Sequence, residues 1–226
     1  MSVRAVSNKL ERMDRFFAAR LDECDEHMLC NIEELPEAYE RVAQLVPATT
    51  RVLLDLGCGT GLELRWIFKA CPSIRVVGID LTQAMLDELH RKYVGRDITL
   101  ICADYLRYDL GEAEYDDAVS FETMHHLTHS EKRGLYVNIC KALKPGSRYI
   151  ECDYMVDTQD EENQWAAESC RIRAAQGVPV GEPYHYDTPL TIKNQVELLL
   201  QAGFTSAEEV WRKNGTAIIV AEKGRT

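Results

Sequence analysis

Asp55-Leu56-Gly57-Cys58-Gly59-Thr60-Gly61 follows directly on the apolar run Val52-Leu53-Leu54 and precedes a segment whose pattern predicts a helix. Glycines at alternate positions after a buried strand let the backbone turn tightly. They also let a bound molecule lie against the main chain and the first N–H groups of the next helix. The stretch therefore predicts a ligand-binding loop.

The spacing of the glycines distinguishes between ligands. A dinucleotide-binding loop has the pattern G-x-G-x-x-G, but Leu62 stands where its third glycine would be. This spacing disfavours a nicotinamide-dependent oxidoreductase. Asp55, two residues before the first glycine, is poorly placed for phosphates and suits a ligand that carries an ammonium group.

Three further apolar runs each end in an acid. Residues 75–80 end in Asp80, where doubly wound sheets have an acid that accepts hydrogen bonds from ribose hydroxyls, although Asp80 also suits a helix cap. Residues 98–104 end in Asp104, whose carboxylate is able to accept from an adenine amine. Residues 115–122 end in Glu122 and lead into Thr123-Met124-His125-His126-Leu127.

Strand and helix patterns alternate from residue 51, which predicts a parallel sheet with helices on both faces. Only Lys213-Asn214-Gly215 separates the last two predicted strands, residues 208–212 and 216–221, so these two strands have to be antiparallel. The other predicted strands are residues 51–56, 74–79, 98–102, 116–121 and 148–154, and the helices between them cover about residues 60–70, 82–92 and 129–142.

In their order, these segments resemble the motifs of the class I S-adenosylmethionine-dependent methyltransferases. Residues 142–146 (ALKPG) and 199–204 (LLQAGF) match the same family, and the resemblance covers about residues 35–222. It implies an α/β fold, a doubly wound, mostly parallel seven-stranded sheet of the Rossmann-like methyltransferase type with an antiparallel C-terminal hairpin. It also implies S-adenosyl-L-methionine as methyl donor and a small molecule as methyl acceptor, with the methylated atom left open.

The resemblance implies that Asp55 and Gly57 face the amino acid end of the donor, that Asp80 binds the ribose and that Asp104 binds the adenine amine. Leu81 and Tyr105 would flank the adenine. The full set of expected cofactor-binding residues is Asp55, Gly57, Cys58, Gly59, Gly61, Asp80, Leu81, Asp104, Tyr105 and Phe121.

The expected catalytic residues are Glu122 and His125, because either is able to contact the acceptor or take its proton at the end of the fourth strand. Methyl transfer needs mainly alignment and exclusion of water, so a strong base is not a requirement. Polar and aromatic groups later in the chain are predicted to line the acceptor pocket, although a capped strand and a surface loop explain them equally well: Asp153, Tyr184, His185 and Asp187.

A metal is not expected. His125 and His129 are four residues apart and would share a helix face, but the neighbouring sequence offers no third ligand at a suitable spacing. The eight cysteines of the chain contain no C-x-x-C pair and are expected to be reduced thiols.

Net charge and composition limit the classes of partner that this protein is expected to bind. The net charge of −11 argues against a nucleic-acid partner, because phosphate binding relies on basic surface. No apolar stretch approaches the roughly 20 residues of a membrane span, and the N-terminus lacks the apolar core of a secretory signal. We therefore expect a cytoplasmic protein without a membrane anchor, either a monomer or a homodimer.

Two divisions of the chain are predicted. Apolar residues at helical spacing indicate that residues 1–34 form an N-terminal helical lid, and residues 35–226 form the methyltransferase domain. Within that domain, residues 155–190 are a substrate-side insertion: a helix capped by Thr158, followed by a proline-rich loop.

Two other functions fit the same sequence. An enzyme of this fold could use a modified donor. A non-catalytic module could instead hold the nucleoside ligand for a partner protein through its acidic N-terminal face.

Overall fold

A computed structural model describes residues 10–21, 25, 28, 33–179 and 181–225 of the chain. Seven strands within these residues form one sheet: β1 (Val52–Leu56), β2 (Arg75–Asp80), β3 (Ile98–Cys102), β4 (Tyr115–Phe121), β5 (Leu143–Tyr154), β6 (Ser206–Lys213) and β7 (Thr216–Glu222). The helices described are α1 (Met13–Ala18), α2 (Leu35–Leu45), α3 (Leu64–Ala70), α4 (Gln83–Lys92), α5 (His129–Ala142), α6 (Gln159–Ala175) and α7 (Ile192–Gln201).

The strand order is β3-β2-β1-β4-β5-β7-β6. The first five strands in this order pair in parallel, whereas β7 is antiparallel to both β5 and β6. The predicted fold, a doubly wound, mostly parallel sheet with an antiparallel C-terminal hairpin, is confirmed. The chain leaves β1 toward β2 on one side and later returns to β4 on the other, so a crevice opens at the carboxyl ends of β1 and β4.

Successive residues of the strands face opposite layers. Leu53 of β1 packs into one core layer, with helices α2 and α3, and Leu54 packs into the other, with helices α5 and α7. Both faces of the sheet are therefore covered, as a parallel sheet requires.

The element boundaries differ from the predicted ones in two places. Helix α3 begins at Leu64 instead of near residue 60, because residues 60–63 form turns that complete the glycine loop. Strand β5 begins at Leu143 instead of 148, because Leu143 already pairs with Tyr115 before the register shifts. Helices α2 and α7 were not predicted.

The described part of the N-terminal segment packs on the 155–190 insertion. Met13 N donates to Pro183 O at 2.9 Å, and His185 N donates to Glu11 O at 3.0 Å. An apolar cluster separate from the main core joins the two segments: Leu10, Ile172 and Tyr186. We call residues 10–21 and 159–188 together the cover. Residues 1–9, 22–24, 26–27 and 29–32 of the predicted lid lie outside the described residues, and the predicted domain division stays a prediction.

Helix α6 of the cover begins after Thr158, as predicted. The Thr158 side chain and Glu161 form a reciprocal capping box. No helix among the described residues is both long and apolar enough to cross a membrane.

The loops after β1, β3 and β4 contact one another at Thr123. Gly57 has a φ of +70°, and a Cβ atom on it would lie 2.4 Å from Thr123 Oγ1. The Thr123 hydroxyl also lies 3.0 Å from the Tyr105 hydroxyl, within hydrogen-bond distance. The absence of a side chain at Gly57 therefore lets the glycine loop sit against the end of β4.

This contact predicts the effect of Gly57→Ala. Gly95→Ala is the matched control, because Gly95 also has a positive φ but a Cβ there would meet nothing within 4 Å. We expect backbone strain of about 1–2 kcal/mol in both variants and a further loss of about 1–3 kcal/mol from the clash in Gly57→Ala alone. Urea unfolding measures both free energies. Equal losses would contradict the close approach of the two loops.

Candidate active site

A cavity of about 980 Å³ lies at the carboxyl ends of the first four strands, beneath the cover. Its base is formed by residues at or after the ends of β1, β2, β3 and β4: 57–60, 80–82, 103–106, 121–123 and 125–128. The cover contributes Phe16, Phe17, Trp165 and residues 181–188. This volume is at the upper end of the range for small-molecule sites, which run from roughly 300 to 1,000 Å³.

The glycine loop and the end of β2 are held together by Asp80. Asp80 Oδ2 accepts from Gly59 N at 3.0 Å, and Oδ1 accepts from Thr82 N at 2.8 Å. A carboxylate offers about four lone-pair sites, so these contacts leave capacity for ligand hydroxyls. At Gly59 (φ +47°) the only neighbouring atom near an added Cβ is Gly57 O at 4.0 Å, so its position faces open space.

Asp55 does not line the cavity, although it is close to the glycine loop. Its carboxylate is 1% exposed, and among the described residues no N–H or hydroxyl group donates to either of its oxygens. Its neighbour is Glu63, which does line the cavity. Burial, and after it the charge of Glu63, raises the pKa of Asp55, and burial raises the pKa of Glu63 to about 7. Two adjacent buried carboxylates repel each other when both are ionised, so one of them keeps its proton unless a cation binds between them.

Gly61 also lies outside the cavity lining, and its role is packing. A Cβ there would lie 2.9 Å from Leu89 Cγ of helix α4, and Gly61 O accepts from the Tyr93 hydroxyl at 2.6 Å. The other eight expected cofactor-binding residues do line the cavity: Gly57, Cys58, Gly59, Asp80, Leu81, Asp104, Tyr105 and Phe121. Their roles toward a donor stay predictions.

The cavity walls after β3 and at the end of β4 have contacts of their own. Asp104 Oδ1 accepts from Leu106 N at 2.9 Å, which fixes the turn after β3. Burial raises the pKa of the Tyr105 hydroxyl, so the ring presents a neutral surface. Phe121 stacks on Tyr39 with 4.2 Å between ring centroids.

The opposite end of the cavity carries the residues expected on the acceptor side: Glu122, His125, Tyr184, His185 and Asp187. Glu122 has a φ of +49°, an uncommon value for a residue with a side chain. Backbone strain of this kind clusters at functional sites. Here it turns the chain sharply from β4 into the short helical turn Met124–His126.

Asp153, predicted to line the acceptor pocket, instead lies behind His125. Its side chain is 1% exposed, Oδ2 accepts from His125 N at 2.9 Å, and Oδ1 pairs with His125 Nδ1. The carboxylate therefore fixes the orientation of the imidazole ring without reaching the cavity.

At His125, burial and the charge of Asp153 shift the pKa in opposite directions. Burial alone would lower the pKa of His125, but the charge and hydrogen bond of Asp153 outweigh it and raise the pKa to about 9. Burial and the neighbouring His125 lower the pKa of His126, and burial with His126 lowers the pKa of His185 to about 3. Burial would raise the pKa of Asp187, but the adjacent imidazoles hold it low.

Sequence reasoning missed several residues that line the cavity, among them Glu63, Trp165 and Arg173. Glu63 lies in an irregular turn, Trp165 on helix α6 and Arg173 near the end of that helix, and all three line the cavity. No spacing or motif marks them, because each reaches the cavity only through the packing of its segment.

Comparisons with known proteins agree with this architecture. A family model described as a methyltransferase domain matches residues 53–146. The chain is 27% identical over 169 residues to an O-methyltransferase of Penicillium expansum, a match that covers 71% of this chain and 54% of that protein. It is 30% identical over 167 residues to a cycloartenol C-24-methyltransferase of Arabidopsis thaliana, covering 72% of this chain and 46% of that protein. The chain thus spans about half the length of these curated relatives.

Among solved structures, human N-acetylserotonin methyltransferase in complex with SAM is similar, with a TM-score of 0.65 and 16% sequence identity. The match covers 92% of this chain and 55% of that chain. At this identity the likeness shows the fold alone. The family match and the curated relatives indicate the class I S-adenosylmethionine-dependent methyltransferase family.

The Asp55–Glu63 pair predicts a pH-dependent stability. Folded Glu63 keeps its proton up to about pH 7, whereas its ordinary pKa is 4.5. Folding therefore takes up a proton between these values, and the contribution of Glu63 to the free energy of unfolding falls as pH rises from 4.5 to 7. We expect Glu63→Gln, whose amide is neutral and able to donate to Asp55, to gain stability relative to the wild type over this range.

Chemical unfolding at pH 5, 6, 7 and 8 measures this difference. Glu88→Gln is the control, because Glu88 is paired with Arg91 at the surface and its pKa is lowered, so its titration lies below the tested range. A constant difference between Glu63→Gln and the wild type from pH 5 to 8 would show that the pair does not hold a proton.

Proposed function

We propose that this protein transfers a methyl group from S-adenosyl-L-methionine to a small-molecule acceptor. The observation that carries the proposal is that one cavity joins the glycine loop and Asp80 at one end to Glu122 and His125 at the other. Donor and acceptor therefore fit side by side under one cover, as direct transfer requires.

Three features of the chain fit the donor. Asp55 and Glu63 form a buried acidic pair beside the glycine loop, and no described residue forms an ion pair with them. Such a pair suits the ammonium group of a methionine moiety. The position of Gly59 leaves room for a ligand against the backbone, and Asp80 is placed for ribose hydroxyls. When bound, the donor supplies an electrophilic methyl group on a sulfonium.

The chain's own residues then serve the acceptor. Glu122 contacts the acceptor and accepts its proton, whereas His125, whose pKa is raised to about 9, is charged at neutral pH and orients the acceptor. Asp153 acts as a positioning residue by holding His125. Tyr184, His185 and Asp187 of the cover select the acceptor and, with Phe17 and Trp165, exclude water. The Glu122 carboxylate at this end favours an acceptor that loses a proton on methylation, such as a hydroxyl compound.

The relatives named above include both O- and C-methyltransferases, so the methylated atom rests on the site argument alone. The cytoplasmic location and the choice between monomer and homodimer stay predictions.

The direct test uses labelled S-adenosylmethionine and a panel of small hydroxylated compounds. We expect at least one compound to raise formation of S-adenosylhomocysteine above the blank. Donor binding without turnover across broad panels of oxygen, nitrogen and carbon acceptors would favour the non-catalytic module instead.

Gly59→Ala tests the donor side. The added Cβ faces open space, so we expect its unfolding free energy to match that of the strain control Gly95→Ala. Its affinity for S-adenosylhomocysteine should fall at least tenfold, or about 1.4 kcal/mol, because the methyl group occupies ligand volume. Calorimetry measures this. If Gly59→Ala bound S-adenosylhomocysteine as tightly as Gly95→Ala does, the donor would not lie against the glycine loop.

His125→Asn tests the acceptor side. We expect donor affinity to stay within about threefold while transfer to the acceptor falls by about 100-fold or more, because a misplaced acceptor reacts that much more slowly. His129→Asn, at an exposed histidine in the first turn of α5, is the control and should keep full activity. Unchanged transfer in His125→Asn would remove this residue from the reaction.

A further inference from the structure

Three side chains that are able to bind a metal meet on the acceptor side of the cavity: His125, His126 and Asp187. His126 Nδ1 lies 3.1 Å from Asp187 Oδ1, and His125 Nε2 lies 3.7 Å from the same oxygen. One nitrogen or oxygen atom from each residue lies within 4.8 Å of those of the other two. These separations are close to the ~3.4 Å between ligand atoms of a tetrahedral ion with bonds of about 2.0–2.2 Å.

Two of these atoms form an ion pair with each other but make no hydrogen bond of good geometry. Neither His126 Nδ1 nor Asp187 Oδ1 makes a hydrogen bond within the described part of the chain, although both are buried. The His126 side chain is only 5% exposed. Buried polar atoms in folded proteins nearly always make a hydrogen bond, and an ion bound between these two atoms would satisfy both of them.

The orientation of His125 is a second, independent observation. Asp153 pairs with Nδ1 of His125, so the other ring nitrogen, Nε2, is directed toward Asp187. Histidines that bind metals are usually held in this way, by a carboxylate on the ring nitrogen away from the ion. The backbone is fixed as well, because Thr188 N donates to His125 O at 2.6 Å and so ties the Asp187 segment to the histidines.

We propose that His125, His126 and Asp187 bind a divalent transition-metal ion of the zinc type. Two imidazole nitrogens and one carboxylate oxygen suit zinc and its first-row neighbours, whereas magnesium and calcium prefer oxygen ligands throughout. The carboxylates of Glu122 and Asp153 lie on the far side of His125 and add negative charge that favours a dication.

Three protein ligands leave a coordination position open, and these residues all line the cavity. The open position therefore faces the space proposed for the acceptor and suits an oxygen ligand. Cation binding itself does not depend on methyl transfer, so each of the two proposals is tested separately.

The predicted absence of a metal rested on the pair His125 and His129. In the structure His129 is exposed at the start of helix α5, and the ligands that join His125 are its neighbour His126 and a residue from the distant cover.

The test is metal binding by the full-length protein after treatment with a chelator. Titration with Zn²⁺ by calorimetry should show one tight equivalent in the wild type and in the control His129→Asn. His126→Asn and Asp187→Asn should weaken binding at least tenfold, and Asp153→Asn should weaken it by about 10–100-fold through the orientation of His125. Circular dichroism of each variant checks that it is folded.

Visible absorption of the Co²⁺-loaded wild-type protein gives a readout that needs no variant. Bands of a four- or five-coordinate ion without a sulfur charge-transfer band support the site. Absence of a tight equivalent, cysteine charge transfer, or equal binding by the wild type, His126→Asn and Asp187→Asn would overturn it. Calorimetry with S-adenosylhomocysteine on the same samples separates the outcomes, since donor binding without metal overturns only this inference.

Discussion

The position of β1 between β2 and β4 is the constraint on which the rest of the site depends. The connections lead from β1 to β2 on one side and on to β4 on the other side of β1, so no connection covers the carboxyl end of β1. The glycine loop therefore lies at the opening of the crevice. Gly57 then packs against Thr123 and Asp80 accepts from Gly59 N. These contacts fix the loops of three strands around one cavity.

The cavity is closed by two segments that are far apart in the chain. Residues 10–21 and the insertion after β5 share backbone hydrogen bonds, and Phe16 stacks on His185 with 3.5 Å between ring centroids. The cover joins the domain at the acceptor side, where Thr188 donates to His125 O and Leu127 O. Because these contacts are to His125 and Leu127, movement of the cover would displace this end of the cavity more directly than the glycine loop.

Buried charge is used differently in three parts of the molecule. Asp55 and Glu63 lie side by side next to the glycine loop, where no described residue forms an ion pair with them, whereas Asp153 is compensated by His125. Lys132 is fully buried away from the cavity and donates to Gln195, in a hydrogen-bonded network that satisfies its members. A satisfied network stabilises a unique core, whereas an unsatisfied pair at a cavity wall is a place for a ligand.

The sequence by itself determined the strands, the glycine loop, Asp80 and the antiparallel hairpin, because each follows from local periodicity, glycine spacing or the length of a connection. Local periodicity also placed Glu122 and His125 just after the carboxyl end of β4. Only the tertiary structure decided that Gly61 packs on α4, that Asp153 stands behind His125 and that His126 meets Asp187. These contacts join segments with no shared period, so they exist only once the sheet and the cover have packed.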